Sequence, residues 1–475
     1  MDKIKVFFEK NTNFLYTLVV FSIFICFTAK WAFLSGRLGW EDESHFWIII
    51  KNCSVAQIFE LMKVEGHMML WYLVVKPFTF LPYPYPMQII NWLFCLCAMI
   101  VLWKKAPFNY FIKTLIVFSP VFFQLYSVHA RCYSISCFFL FLICALYKER
   151  LEKPYLFFLL LFLAANTHIQ TLFASSAIGI LFLYDLFKEK RYKELKIITT
   201  LTLCTGVMFL FQFLGVSKPD YENVVQDIVN STNMVGMFFG LVPIENDNIL
   251  LSKILASRLF VAIMTLVFAT RFRAFFVYAF IYFTANLFFN FVYLPRYWHI
   301  AFFFVYFIVA YWIFLEEKPE QKYSKNFEYF VYAFLLILLQ VQVELPHDKD
   351  FLYNVITNDQ KLQNSKIFTD IWPITVSISL PKLNENGIYI YDMNGRNLSS
   401  FEGLMTYYDE DKKKFKAKNI YKYTDKNKNN YLVTISGISA NNEYQNINKK
   451  IYIKGTKNGY PYFIYQILPP TRGNK

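Results

Sequence analysis

The side chains best suited to proton transfer and anion binding stand at the edges of apolar runs in this sequence. Asp42 and Glu43 lie in Glu41-Asp42-Glu43-Ser44, just after a first long apolar stretch, and Glu65-Gly66-His67 follows. Arg131 sits within His129-Ala130-Arg131-Cys132-Tyr133 between two apolar runs, and Arg296 and His299 open another. A carboxylate within hydrogen-bond reach of a hydroxyl can take its proton as general base. A guanidinium between apolar segments calls for an anionic partner such as phosphate, which its planar fork binds in bidentate fashion. Ionisable groups at membrane depth are costly and usually functional. Plainer roles compete: Asp42 and Glu43 would equally serve as N-terminal carboxylates of a helix starting at Ser44. His45, His129 and His347 read most simply as interfacial side chains reaching water.

The elements that position these residues follow from composition. The chain has 475 residues, of which 56% are hydrophobic and 17% charged, against about 25% charged in soluble domains. That excludes an ordinary soluble enzyme, and 54 Phe with 34 Tyr exclude disorder. The net charge of +14 would suggest a nucleic-acid partner if the basic residues shared one face. Here they punctuate apolar runs, so they read as topology signals and no nucleic acid is expected. The eight cysteines form no Cys-x-x-Cys pair, and nearly all lie in or beside apolar stretches. They read as small apolar side chains rather than disulfides or zinc ligands.

Lys3, Lys5 and Lys10 precede the first run, Phe14 to Leu34, and by the positive-inside rule hold the N-terminus in the cytoplasm. Further spans are predicted near 86–103, 109–127, 132–147, 154–168, 170–187, 195–214, 253–270, 274–294, 297–315 and 327–345, giving about eleven crossings of a ~30 Å layer. Every later basic cluster falls inside if Met68 to Leu81 lies in the interface or re-enters, stopped by Pro82, Pro84 and Pro86. The predicted fold is an all-α polytopic membrane module over 1–345, with outer loops 35–85 and 215–252. A small extracytoplasmic α/β domain over 346–475 follows. A helical pattern covers 349–363, and short β-prone runs occur at Gly387 to Tyr391, Tyr431 to Ile435, Lys450 to Ile453 and Tyr462 to Ile467. On this topology all six histidines lie in outer loops or at outer helix ends. Asn166 and His168 mark the point where two short spans meet.

This arrangement resembles the GT-C superfamily of polytopic glycosyltransferases, in particular the branch of protein O-mannosyltransferases and lipid A aminoarabinose transferases. The matching residues are Asp42-Glu43 after the first span and Glu65-Gly66-His67 ahead of Leu70-Trp71-Tyr72-Leu73. Ala130-Arg131-Cys132-Tyr133 and Pro295-Arg296-Tyr297 complete the likeness. Two departures stand out: His67-Met68-Met69 replaces the family's His-Pro-Pro, and no second acidic residue follows Arg131.

The resemblance implies transfer of a sugar from a polyprenyl-phosphate carrier to a lipid, glycan or protein acceptor at the outer membrane face. Asp42 would be the base with Glu43 its helper. Arg131 and Arg296 would stabilise the leaving phosphate, and His67 or His299 would bond phosphate or sugar. Glu65, Tyr133 and His168 would line the substrate site. One base without a carboxylate nucleophile would invert the anomeric centre, by analogy with glycosidases. A divalent ion bridging carboxylate and phosphate would have oxygen ligands to draw on, yet no run of carboxylates has metal-ligand spacing, so no metal or cofactor is expected. The first rival is a polymerase or ligase of lipid-linked glycans, which needs the same residues. The second is a lipid-glycan flippase, which the few buried charges and only 15 Gly disfavour.

Overall fold

The computed structural model describes residues 2–34, 40–65, 67–213, 258–292, 295–317, 325–341, 351–369, 379–392, 394–406, 420–434, 447–455 and 461–467. The expected outer loop 215–252 and His347 lie outside them. The chain divides into two compact units. The first comprises 1–35, 67–71 and 88–345; the second joins 36–66 and 72–87 to 346–475.

The first unit is helical. Its elements are α1 (Asp2–Ala29, continued by a π-helical turn Lys30–Leu34), α5 (Tyr85–Lys105, from Gln88 onward), α6 (Tyr110–Val117), a second π turn Val121–Tyr126, α7 (Tyr133–Ala145) and α8 (Pro154–Ala165). There follow α9 (Ile169–Lys188), α10 (Tyr192–Phe213), α11 (Arg258–Phe268), α12 (Phe272–Phe291), α13 (Tyr297–Glu317) and α14 (Lys325–Leu339). Among the described residues five helices are long and apolar enough to cross a membrane: Thr12–Phe33, Tyr85–Lys105, Ile169–Lys188, Phe272–Phe289 and Tyr297–Glu317. The chain is thus a predominantly helical protein of membrane character.

Helix α13 is buried from Tyr297 to Leu315 and packs against α7, α11 and α12. Indole N–H groups tie α5 to α1: Trp92 donates to Thr28 Oγ1 at 2.9 Å and Trp103 to Thr17 Oγ1 at 3.0 Å. Such bonds matter where lipid removes the hydrophobic contrast between helices. Two expected spans are shorter than their apolar runs. Helices α7 and α8 have 13 and 12 residues, about 18–20 Å at 1.5 Å per residue. The polar stretches Ser127 to Cys132 and Asn166 to His168 interrupt the helix at these points.

In the second unit α2 (Glu41–Asn52) and α3 (Val55–Glu65) precede α4 (Leu70–Val75), whose residues from Tyr72 onward belong here, and a 3₁₀ turn Lys76–Phe78. With six residues, α4 spans about 9 Å and is too short to cross a bilayer. Beyond Pro346 come α15 (Phe351–Asn358), α16 (Gln360–Gln363), β1 (Lys366–Thr369), α17 (Leu380–Glu385) and β2 (Ile390–Asp392). Helices α18 (Phe401–Thr406) and α19 (Ile420–Tyr423) then lead to β3 (Asn430–Thr434), β4 (Ile447–Gly455) and β5 (Pro461–Ile467).

The strand order is β2-β1-β3-β5-β4. Strand β1 runs parallel to β2 and β3, and β5 runs antiparallel to β3 and β4. The central strands β1 and β3 are buried almost throughout, as parallel strands covered on both faces are. Helix α2 packs on α17 and α18, and α3 also contacts α18.

One charge cluster binds three elements of the first unit. Asp185 of α9 accepts from Arg150 Nε at 2.7 Å and from Arg273 Nη1 at 2.8 Å, and Arg273 Nη2 bonds its other oxygen. The Asp185 side chain is 4% exposed. Removing one partner from such a cluster leaves buried charge uncompensated. Asp185→Asn should therefore destabilise the detergent-solubilised chain by about 3 kcal/mol in thermal or denaturant unfolding. An unchanged melting curve would show that the cluster contributes nothing to stability.

Candidate functional site

The predicted residues fall into two groups, one in each unit. In the first unit the group is built around the turn that follows the π turn Val121–Tyr126. π-helical turns recur at functional sites because they misalign the following residues relative to a regular helix. Here Tyr126 is fixed on all sides: its carbonyl accepts from Asn91 Nδ2 at 2.9 Å and Ser134 Oγ at 2.7 Å, and its hydroxyl donates to Trp298 O at 2.9 Å. The Tyr133 ring stacks on Tyr126 with centroids 5.1 Å apart and an interplanar angle of 9°.

Arg131 lies in this turn, half-buried, and Arg131 Nη2 approaches His67 Nε2 at 3.4 Å. A guanidinium only donates, so the imidazole nitrogen accepts and His67 carries its proton on Nδ1. Tyr133 meets His168 at 5.1 Å, His299 at 6.1 Å and His129 at 5.7 Å. His168 and His299 lie nearly parallel, with centroids 6.0 Å apart at 18°. Arg131, His67, Tyr133, His168 and His299 are thus gathered in one cluster. Arg296 stands at the start of α13 with its side chain exposed.

Each of the two stacked imidazoles caps a helix. His168 precedes α9, and its Nδ1 accepts from Gln170 N at 3.4 Å. His299 Nδ1 accepts from Arg296 N at 3.1 Å. A ring nitrogen that accepts a hydrogen bond carries no proton, so each ring carries its proton on Nε2.

In the second unit, Glu43 Oε2 accepts from Trp40 N at 2.9 Å and its side chain is buried, so this carboxylate fixes the first turn of α2. Asp42, beside it, is half-buried. Ser44 Oγ shares a 2.7 Å hydrogen bond with Tyr83 OH, whose backbone N donates to Glu385 Oε1 at 3.0 Å. Both oxygens of Glu65 are engaged, one with His45 Nε2 at 2.9 Å and the other with Tyr72 OH at 3.1 Å. The interfacial reading of His45 gives way here to a buried pairing with Glu65. Tyr126, Gln170 and Trp298 are further members that sequence reasoning missed, since each reads as one more residue of an apolar or helical run.

Among the described residues no group of three or more His, Cys, Asp or Glu side chains is placed to hold a metal ion. All eight cysteines are free thiols. Compared with known proteins, the chain matches no family model, and no curated protein is similar to it. The likeness to GT-C enzymes accordingly rests on the motif residues.

The cap that His168 gives α9 contributes to stability. His168→Ala, which leaves Gln170 N without this acceptor, should destabilise the solubilised chain by about 1 kcal/mol in thermal unfolding, and His168→Asn, which keeps a capping acceptor, by less. Equal melting curves for His168→Ala and the wild type would contradict the cap.

Proposed function

We propose that this chain is a membrane glycosyltransferase that moves a sugar from a polyprenyl-phosphate-linked donor to a lipid, glycan or protein acceptor on the outer face of the membrane, with inversion. The observation that carries the reading is the pairing of Arg131 with His67 amid buried rings at the ends of apolar helices. A fixed guanidinium there suits a lipid phosphate whose charge grows as the glycosidic bond breaks. In this reading the chain crosses the membrane about eleven times. The N-terminus is cytoplasmic, and the Arg131 cluster and residues 346–475 are outside.

The roles follow from chemistry. Asp42 takes the proton of the acceptor hydroxyl as its oxygen attacks the anomeric carbon. Glu43 holds the helix turn that carries Asp42. Arg131, with His67, receives the phosphate released when the anomeric carbon–oxygen bond breaks, and Arg296 adds positive charge. Glu65 orients His45 and Tyr72. The apolar helices accommodate the polyprenyl tail, and the bilayer supplies the carrier.

Transfer of radiolabelled sugar from polyprenyl-phosphate donors in membranes tests this reading. Asp42→Asn should lower the rate about a hundredfold or more at normal protein amounts. Arg131→Lys should restore little over Arg131→Ala, because a point charge replaces a two-pronged donor. Undiminished transfer by Asp42→Asn would remove the base assignment, and full activity in Arg131→Lys would remove the phosphate clamp.

A further inference from the structure

The two stacked imidazoles of the first unit are fixed in one protonation state by the backbone. An imidazole nitrogen that accepts a hydrogen bond carries no proton, so a neutral ring must carry it on the other nitrogen. His168 Nδ1 accepts from Gln170 N and His299 Nδ1 from Arg296 N. Both rings are therefore neutral, with Nε2–H as donor. They supply directional N–H groups without adding charge beside Arg131.

Gln170 adds an acceptor. It is fully buried, its Nε2 donates to the His299 carbonyl at 2.9 Å, and among the described residues its Oε1 has no hydrogen-bond partner. A buried acceptor without a donor is costly. A hydroxyl can satisfy it, whereas a phosphate oxygen, itself only an acceptor at neutral pH, cannot. The surroundings are aromatic: Tyr133, Trp298 and Phe302 lie within 5.1–6.2 Å of one or other imidazole. Such flat faces suit the C–H surfaces of a sugar ring, with a few polar groups setting its orientation.

Resting on the transferase reading, we propose that His168, His299 and Gln170 form the sugar-reading half of the donor site. Neutral N–H donors and an amide oxygen bind hydroxyl groups, while Arg131 and His67 hold the phosphate. The ligand of this half is a neutral polyhydroxylated ring, and its recognition is separable from that of the phosphate.

Binding to the full solubilised chain separates the two halves. The probes are farnesyl phosphate and its mannosyl, glucosyl and N-acetylglucosaminyl esters, with farnesol as the uncharged control. At least one ester should bind wild type more tightly than farnesyl phosphate. His299→Phe and His168→Asn should each weaken that ester about tenfold, the value of one hydrogen bond, and leave farnesyl phosphate unchanged. Arg131→Gln should weaken both probes. Where a variant fails to fold, nitrogen-15 histidine spectra of the wild type give the same answer: the ester should shift the neutral-ring resonances and farnesyl phosphate should not. Equal effects on both probes, or no ester binding more tightly than farnesyl phosphate, would overturn the division of the site. Farnesyl phosphate binding no better than farnesol would overturn the transferase reading itself.

Discussion

A helix that begins inside an apolar protein must find partners for its first backbone N–H groups, because neither lipid nor a packed core supplies them. In this chain two imidazoles provide partners, His168 at the start of α9 and His299 at the start of α13. That local requirement has wide consequences. It fixes the protonation of both rings and keeps them neutral next to a guanidinium. It also sets them nearly parallel beside Tyr133, with the Arg131 guanidinium as a charged member of the cluster, donating to His67.

The same polar stretches that need capping also shorten the helices around them. Ser127 to Cys132 follows a π turn and ends the apolar run before α7, and Asn166 to His168 separates α8 from α9. At their opposite ends α7, α9 and α12 are joined through Tyr147, Arg150, Asp185 and Arg273. Hydrogen bonds from ring hydroxyls to backbone carbonyls, such as Tyr126 to Trp298 and Tyr306 to Gln170, hold the intervening layers in register. The turns that carry Arg131 and His168 are therefore held between packed helices.

Much of the helical plan was legible in the sequence because it depends on hydropathy and punctuation. The apolar run read as 170–187 is α9, Ile169–Lys188, and the run read as 86–103 is α5, Tyr85–Lys105. The β-prone runs near Tyr431 and Tyr462 are strands β3 and β5. Strand β1 was not legible: Lys366-Ile367-Phe368-Thr369 is four residues long and is a strand because two neighbours pair with it.

The carboxylates of the first loop illustrate a second limit. Segments 36–66 and 72–87 belong with residues 346–475, a grouping set by packing of α2 on α17 and α18. Hydrophobic period carries no trace of such packing. His45 and Glu65 meet across two helices, so neither residue type nor spacing announced the pair. Asp42 and Glu43 were legible as a motif, but only geometry separates the capping carboxylate from its half-buried neighbour.

The central claim is that this protein detaches one sugar from a lipid carrier and attaches it elsewhere. Mass spectrometry of lipid-linked and envelope glycans from cells with and without the gene tests it most directly. The account predicts that the deletion removes one sugar from a finished glycan or glycosylated acceptor, while the polyprenyl-phosphate form of that sugar accumulates. An intact glycan building up on its carrier with no sugar missing would contradict it, and would assign the chain to moving or polymerising whole glycans instead.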